Sequence, residues 1–350
     1  MRHPDLIDAI GNTPLVRLRA AIPDDVEVYA KLELANPFAM KDRVARQIIL
    51  DARATGELCP GAPVIESSSG TMALGLALVG TYLGHPVHIV TDPRIDPITM
   101  TKLTALGCTV HVVQAMTQHG WQSARLERLA ELVADLPGAF WPRQYSNPQN
   151  PEAYRLLAEE LVADLGGLDI LVGATGSGGS LCGTARALRE LVPSVHTVAV
   201  DCVGSVLFDQ PDQPHRLQSG LGNSVQPPNL DHGVLDEVHW LNDREAFAGT
   251  ADLAAQQKIF AGNTSGSVYM VLRHLAAHSE PRTRIVGIFA DRGDRYAQTV
   301  YDTAHHALHR VHELPQRTTP ERVHYGAPVS SWSYAAVTRE SADAVLVGVH

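Results

Sequence analysis

Three groups of residues have types and spacing that could do chemistry. The first is Ala174-Thr-Gly-Ser-Gly-Gly-Ser180, which follows an apolar run at 170–172 and precedes Leu181, Ala185 and Leu188 at helical spacing. Strand, glycine loop and helix N-terminus make an anion site in outline, because free main-chain N–H groups and the positive end of the helix dipole converge there. A tight turn needing positive φ reads the same way. The second is Lys41, just past the break at Asn36-Pro37 and at the first turn of a helix with Val44, Ile48, Ile49 and Ala52 on one face. A cation there is repelled by the helix dipole, which lowers its pKa and favours the neutral amine a Schiff base requires. From spacing alone, Lys41-Asp-Arg43 reads more readily as a solvated charged patch. The third is Ser67-Ser-Ser-Gly-Thr71, a hydroxyl-rich strand-to-helix turn that suits a carboxylate or simply caps its helix.

What is missing narrows the first group. Gly173 and Gly178 have the spacing of a nucleotide-triphosphate loop, but Gly179 stands where that loop needs lysine. Gly176 and Gly178 begin a dinucleotide fingerprint, but Leu181 takes the place of the third glycine. Asp201, ending an expected strand at 195–200, keeps that reading as the runner-up. A cup without a cation, formed by Gly176, Ser177, Gly178, Gly179 and Ser180, suits one small phosphomonoester. His305, His309 and Glu313 also recur at helical spacing. Among 17 histidines that is an easy coincidence, and no metal is assigned to them.

The elements that must position these groups alternate. From 61 to 136 the pattern runs strand, helix, strand, helix, strand, helix, and it resumes through the glycine loop to a last strand at 285–290. Such alternation implies parallel sheets covered on both faces, an α/β fold. After Tyr301 the periodicity fades, and the end reads as a tail packed on the surface. A chain of 350 residues, 45% hydrophobic, is long enough for two domains. A formal charge of -10 argues against a nucleic-acid or anionic-membrane surface. No apolar run has membrane-spanning length, and Met1-Arg-His-Pro-Asp lacks the core of a signal peptide. Four scattered cysteines without a CxxC pair read as reduced thiols in a cytoplasm.

In combination these residues resemble the cysteine synthase family of pyridoxal-phosphate enzymes. Ile10-Gly-Asn-Thr-Pro-Leu-Val-Arg-Leu18 is similar to the family's opening, and Lys31-Leu-Glu33, Asn36-Pro37 and Lys41-Asp-Arg43 resemble the segment bearing its Schiff-base lysine. The resemblance implies fold type II: two doubly wound domains with parallel sheets and pyridoxal 5'-phosphate in the cleft between them. The smaller, mobile domain is expected over 37–147, the larger over 1–36 and 148–310, and the tail over 311–350. Lys41 is implied as the catalytic lysine, Ser68, Ser69, Gly70 and Gln144 as the grip on a substrate carboxylate, and residues 176–180 as the phosphate cup. Gly220 is placed beside the cofactor ring, Thr264 facing its pyridine nitrogen, and Thr71 where the family usually has an asparagine touching the 3′-oxygen.

That family's chemistry is β-elimination or β-replacement on cysteine or an O-activated serine, through an aminoacrylate. The partner implied is a small amino acid, and the assembly a homodimer. The loops depart from the pattern: the lysine segment is one residue short, Met72 replaces a threonine, and Asp291-Arg292 replaces small residues. A less tightly clamped site implies leakage to pyruvate, so cysteine desulfhydrase-type elimination is expected as a natural activity. The alternative is a synthase of a β-substituted alanine other than cysteine. More distant are a dinucleotide-dependent oxidoreductase and a catalytically quiet binding partner.

Overall fold

The computed structural model describes residues 2–337 except His119 and Pro214. The chain opens on an edge hairpin, β1 (Leu15–Leu18) against β2 (Glu27–Lys31), and enters α1 (Asp42–Thr55). Then come β3 (Val64–Ser67), α2 (Thr71–Tyr82), β4 (Val87–Thr91), α3 (Pro97–Ala105), β5 (Thr109–Val112) and α4 (Gly120–Asp135). The helices α5 (Gln149–Glu152) and α6 (Arg155–Leu165) lead to β6 (Ile170–Ala174), α7 (Gly179–Leu191) and β7 (His196–Cys202). The rest is β8 (Glu237–Leu241), α8 (Asp243–Asp252), α9 (Asn263–Ala277), β9 (Arg284–Ile288), α10 (Thr303–Leu308), β10 (Glu321–Arg322) and β11 (Ser333–Ala336).

Two sheets result, both built as the alternation requires. The smaller has the order β3-β4-β5 and is wholly parallel. The larger has eight strands in the order β1-β2-β9-β6-β7-β8-β11-β10. Its centre is parallel, with Val172 of β6 opposite Val198 of β7 and Gly287 of β9. Its edges are not, since β1 runs antiparallel to β2 and β11 to β8. The fold is α/β, with the functional loops at the carboxyl ends of β3 and β6, where ligands of open parallel sheets sit.

The stretch after Tyr301 corrects the expectation of a surface tail. Ser333 of β11 pairs with Trp240 of β8, Trp332 is buried, and its indole N–H donates to His239 Nδ1 at 3.1 Å. Residues 333–336 are a strand of the main sheet. Residues 338–350 of the expected tail lie outside the described residues.

A buried ionic network ties the N-terminal motifs together under Lys41. Arg43 donates to Glu33 through Nε at 2.7 Å and Nη2 at 2.8 Å, and to both oxygens of Glu160 at 2.8 Å. Lys31 Nζ donates to Glu160 Oε2 at 2.8 Å and to the Thr13 carbonyl at 2.7 Å, while Thr13 Oγ1 donates to Glu33 at 2.6 Å. Burial pushes the Glu160 carboxyl up, but the Arg43 guanidinium outweighs it and holds it down at about 2. The charged residues beside Lys41 are therefore not a solvated patch. Removing the shared cation strands Glu33, which is fully buried. Arg43→Met is expected to cost about 3–5 kcal/mol of stability, read as a lower urea midpoint. A midpoint within error of the parent would deny the network its structural role.

Candidate active site

The turns at the ends of β3 and β6 face one cavity of about 710 Å³, and Lys41 stands in its wall. Lys41 is the N-terminal cap of α1, and α2 packs directly on its main chain. A side-chain carbon on Gly75 of α2 would lie 2.9 Å from the Lys41 carbonyl, so this close approach needs glycine. The side chain has the cavity on one side and protein elsewhere. Burial lowers its pKa from 10.5 to about 8, and the charges of Glu66 and Asp291 partly restore it. The direction is the one expected from sequence. The largest physical cause is desolvation by the packing around the amine.

Behind the lysine, Glu66 organises the hydroxyl-rich loop. Its Oε1 accepts from Ser67 N at 2.8 Å and Trp141 Nε1 at 3.2 Å, and its Oε2 from Gln144 N at 3.2 Å. Burial pushes its carboxyl up to about 7 against those hydrogen bonds. Gln144 Nε2 donates to the Ser67 carbonyl at 3.3 Å, so Gln144 and the 67–70 loop are held as one unit. Ser68, Ser69, Gly70, Thr71 and Gln144 all line the cavity.

Asn150 joins that unit to the glycine cup. Its Nδ2 donates to the Gln144 carbonyl at 2.6 Å and to Ser177 Oγ at 3.3 Å. The start of α7 rests on the same side chain, since a carbon on Gly179 would lie 2.2 Å from Asn150 Oδ1. Gly176 and Ser177 belong to the cavity lining; Gly178, Gly179 and Ser180 do not, and form the turn into α7. Gly220 lies over Thr264, whose methyl is 3.6 Å from where a Gly220 side chain would begin. At the head of α9, Ser265 Oγ and both polar atoms of the Asn263 side chain are buried without hydrogen-bond partners among the described residues, while the Thr264 hydroxyl, in the cavity wall, interacts with the Asp291 carboxyl and makes no other hydrogen bond there. A buried hydroxyl so lightly engaged in a cavity wall can take a polar ligand.

In the sequence Asp291 stands out only as a replacement for a small residue of the family. It lines the cavity, and its Oδ2 accepts from Tyr296 OH at 2.6 Å. Reasoning from motifs missed the arginines. Arg94, Arg125, Arg216 and Arg295 line the same cavity, brought there from the β4–α3 loop, α4, the β7–β8 loop and the segment after β9. No spacing in the sequence could have grouped residues so far apart. The runner-up reading falls at Asp201, whose carboxylate is buried at the end of β7 with Oδ1 accepting from Cys202 N at 2.8 Å. It is turned into the protein rather than toward a ribose.

A lysine of lowered pKa, a glycine-rich anion cup and a ring-sized cavity between them are the requirements of one aldehyde-bearing phosphate cofactor, and the family model for pyridoxal-phosphate dependent enzymes matches residues 6–291. The chain belongs to the pyridoxal-phosphate dependent enzyme family. It is an enzyme of the cysteine synthase type. It is 40% identical over 307 residues to N-(2-amino-2-carboxyethyl)-L-glutamate synthase of Cupriavidus metallidurans, covering 85% of this chain and 90% of that one. Among solved structures, O-acetylserine sulfhydrylase isoform 3 of Entamoeba histolytica superposes with a TM-score of 0.81 at 28% identity, covering 89% of this chain and 96% of that one. O-ureido-L-serine synthase superposes with a TM-score of 0.80 at 30% identity, covering 87% and 96%. The buried hydroxyls at the head of α9 and the glycine cradle fit the cofactor. In this pyridoxal-phosphate dependent enzyme the bound group supplies an electron sink for chemistry at Cα and Cβ of an amino acid. Among the described residues, no helix is long and apolar enough to cross a membrane.

Proposed function

We propose that this enzyme is a β-replacement synthase that joins the three-carbon unit of an O-activated L-serine to the amino group of an acidic amino acid. In that reading Lys41 holds the cofactor and moves the Cα proton, and the 176–180 cup receives its phosphate. Gly220 flanks the ring, Thr264 faces its nitrogen and Thr71 stands near its 3′-oxygen. Ser68, Ser69, Gly70 and Gln144 hold the α-carboxylate. The unit 37–147 is the mobile half of the cleft, and 1–36 with 148–310 the larger half. We also infer a homodimer working in a cytoplasm, in keeping with four unpaired cysteines.

The observation that carries the reading is the charge of the cavity. Among the described residues, Lys41, Arg94, Arg125, Arg216 and Arg295 line it with two carboxylates, Asp212 and Asp291, while Asp92 behind the lining pairs with Arg94 and Arg125, so cations outnumber carboxylates in a chain of net charge -10. A cationic cleft in an acidic protein concentrates anionic substrates. Sulfide needs no such lining, whereas a dicarboxylic amino acid does. The relative at 40% identity is named for a product in which a 2-amino-2-carboxyethyl group sits on the nitrogen of L-glutamate. In the reaction the amine nitrogen bonds to Cβ, the Cβ–O bond breaks, and the amine proton and the leaving oxyanion depart as the conjugate acid.

The holoenzyme is to be supplied with O-acetyl-L-serine or O-phospho-L-serine, and with L-glutamate or sulfide. L-glutamate is expected to be consumed one for one, with a product of the mass of the N-linked adduct. Cysteine formation from sulfide with L-glutamate ignored would make the enzyme a cysteine synthase. Sulfide, pyruvate and ammonia from L-cysteine alone, at a rate above any synthesis, would restore the desulfhydrase reading that the rebuilt loops favour.

A further inference from the structure

Arg295 crosses the cleft. It is rooted in the 3₁₀ turn Gly293–Tyr296 after β9, on the side of the larger sheet, while its guanidinium reaches the loops of the smaller one. Nη1 lies 3.2 Å from the point that a side-chain carbon on Gly70 would occupy. Nε lies 3.6 Å from Oδ2 of Asp96, the N-terminal cap of α3, and Nη1 lies 3.8 Å from Oδ2 of Asp291. Charge-assisted hydrogen bonds are about 2.7–2.9 Å long, so both carboxylates attract the guanidinium without engaging it. Neither carboxylate is free to close the gap from its own side. Asp96 Oδ1 accepts from Thr99 N at 2.9 Å to cap α3, and Asp291 Oδ2 accepts from Tyr296 OH at 2.6 Å. Asp96 Oδ2 remains buried without a hydrogen-bond partner among the described residues. The guanidinium lies over the Tyr296 ring at 5.1 Å and makes only these two long ion pairs with them, so, open to the cavity and against the 68–70 loop, it is placed to meet a further anion.

The loop residues carry no charge of their own: Ser68, Ser69, Gly70 and Gln144 offer hydroxyl, amide and main-chain donors. From the smaller half Arg125 reaches the loop, donating to Ser69 Oγ at 3.4 Å, and is itself paired with Asp92 Oδ2 at 3.4 Å. We propose that Arg295 binds the α-carboxylate of the amino-acid substrate, adding a positive charge from the larger half of the cleft to the carboxylate loop of the smaller half. This rests on the reading that residues 68–70 and Gln144 form the carboxylate site. Gly70 is part of the device, because any side chain there would stand between loop and guanidinium. The bound carboxylate then ties the two halves of the cleft together, and an amino acid without it cannot.

The test is equilibrium binding to the holoenzyme, followed by the change in its visible absorption, with L-alanine and L-alaninamide as probes. Neither carries a leaving group at Cβ, so turnover does not enter. In Arg295→Gln the dissociation constant of L-alanine is expected to rise about ten- to hundredfold, while that of L-alaninamide stays within about twofold. Arg295→Lys should fall between the parent and Arg295→Gln for L-alanine. Asp96→Asn, which releases the guanidinium from its cross-cleft neighbour, is expected to tighten L-alanine binding. Equal weakening of acid and amide in Arg295→Gln, or no weakening of the acid, overturns the proposal. If Arg295→Gln does not fold, Asp96→Asn decides alone, and unchanged or weaker L-alanine binding counts against Arg295. A failure of the underlying carboxylate site looks different, because the parent itself then binds L-alaninamide as tightly as L-alanine.

Discussion

Lys41→Ala is expected to lower turnover by about a thousandfold or more, because on the proposed reading one side chain both anchors the cofactor and carries the Cα proton. Borohydride reduction of the parent should leave the pyridoxyl label on the peptide containing Lys41. Two other lysines lie near enough in sequence or space to be asked about. Lys31 is buried and committed to Glu160 and the Thr13 carbonyl, and Lys102 reaches over the ring of Phe38. A label on either would end the assignment. The same lysine sets a pH dependence whose sign is fixed by the direction of its shift. Only the neutral amine attacks the cofactor aldehyde. With a pKa near 8 in place of 10.5, about a quarter of Lys41 is neutral at pH 7.5, against about a thousandth of an ordinary lysine. Cofactor capture by the apoenzyme should therefore rise with a slope that approaches about tenfold per pH unit well below 8, flattens near 8 and levels off above it. A rate still climbing steeply at pH 10 would mean that burial does not tune this amine.

The elements that carry the chemistry were legible because their signals are local. β3 into α2 and β6 into α7 are each an apolar strand, a turn of small or hydroxyl residues and an apolar helix within about twenty residues, and the structure forms both. Pairings between distant segments have no such signal. β11 pairs with β8 across nearly a hundred residues, and its short run is not periodic enough to distinguish a strand from a tail. The Lys41-Asp-Arg43 motif shows the same limit. Its lysine could be assigned a chemistry, but the use of Arg43 depends on Glu160, which is 117 positions away. Glu66 and Arg295 are single residues whose roles exist only once the fold has brought them to the cavity. The lowered pKa of Lys41 was legible in direction from one segment, through its place at a helix N-terminus, but its largest cause, desolvation, is a property of everything packed around the amine.

Gly178→Val is expected to weaken pyridoxal 5'-phosphate binding about a hundredfold, while Ser180→Ala stays within about tenfold. At φ +79° Gly178 is in the left-handed region, and a side-chain carbon there would lie 2.5 Å from Leu230 Cα and 2.7 Å from Leu230 N. Those neighbours are main chain and cannot rotate away. A β-branched residue adds its own penalty at positive φ, of about 1–3 kcal/mol. The residue 178 N–H and those that follow it into α7 must therefore move, and they are the donors on which a phosphate cup depends. Ser180→Ala leaves every main-chain donor in place and removes one hydroxyl, a loss of about 0.5–1.5 kcal/mol. Gly166→Val separates strain from cup. Gly166 also has positive φ, at +72°, but nothing lies within 4 Å of an added carbon, and it ends α6 away from the cavity lining. That variant should lose stability and keep its cofactor affinity, as measured by equilibrium dialysis of the folded protein. If it loses affinity as far as Gly178→Val does, the effect is general strain. If Gly178→Val binds the cofactor as tightly as the parent, residues 176–180 are a turn and the phosphate is held elsewhere.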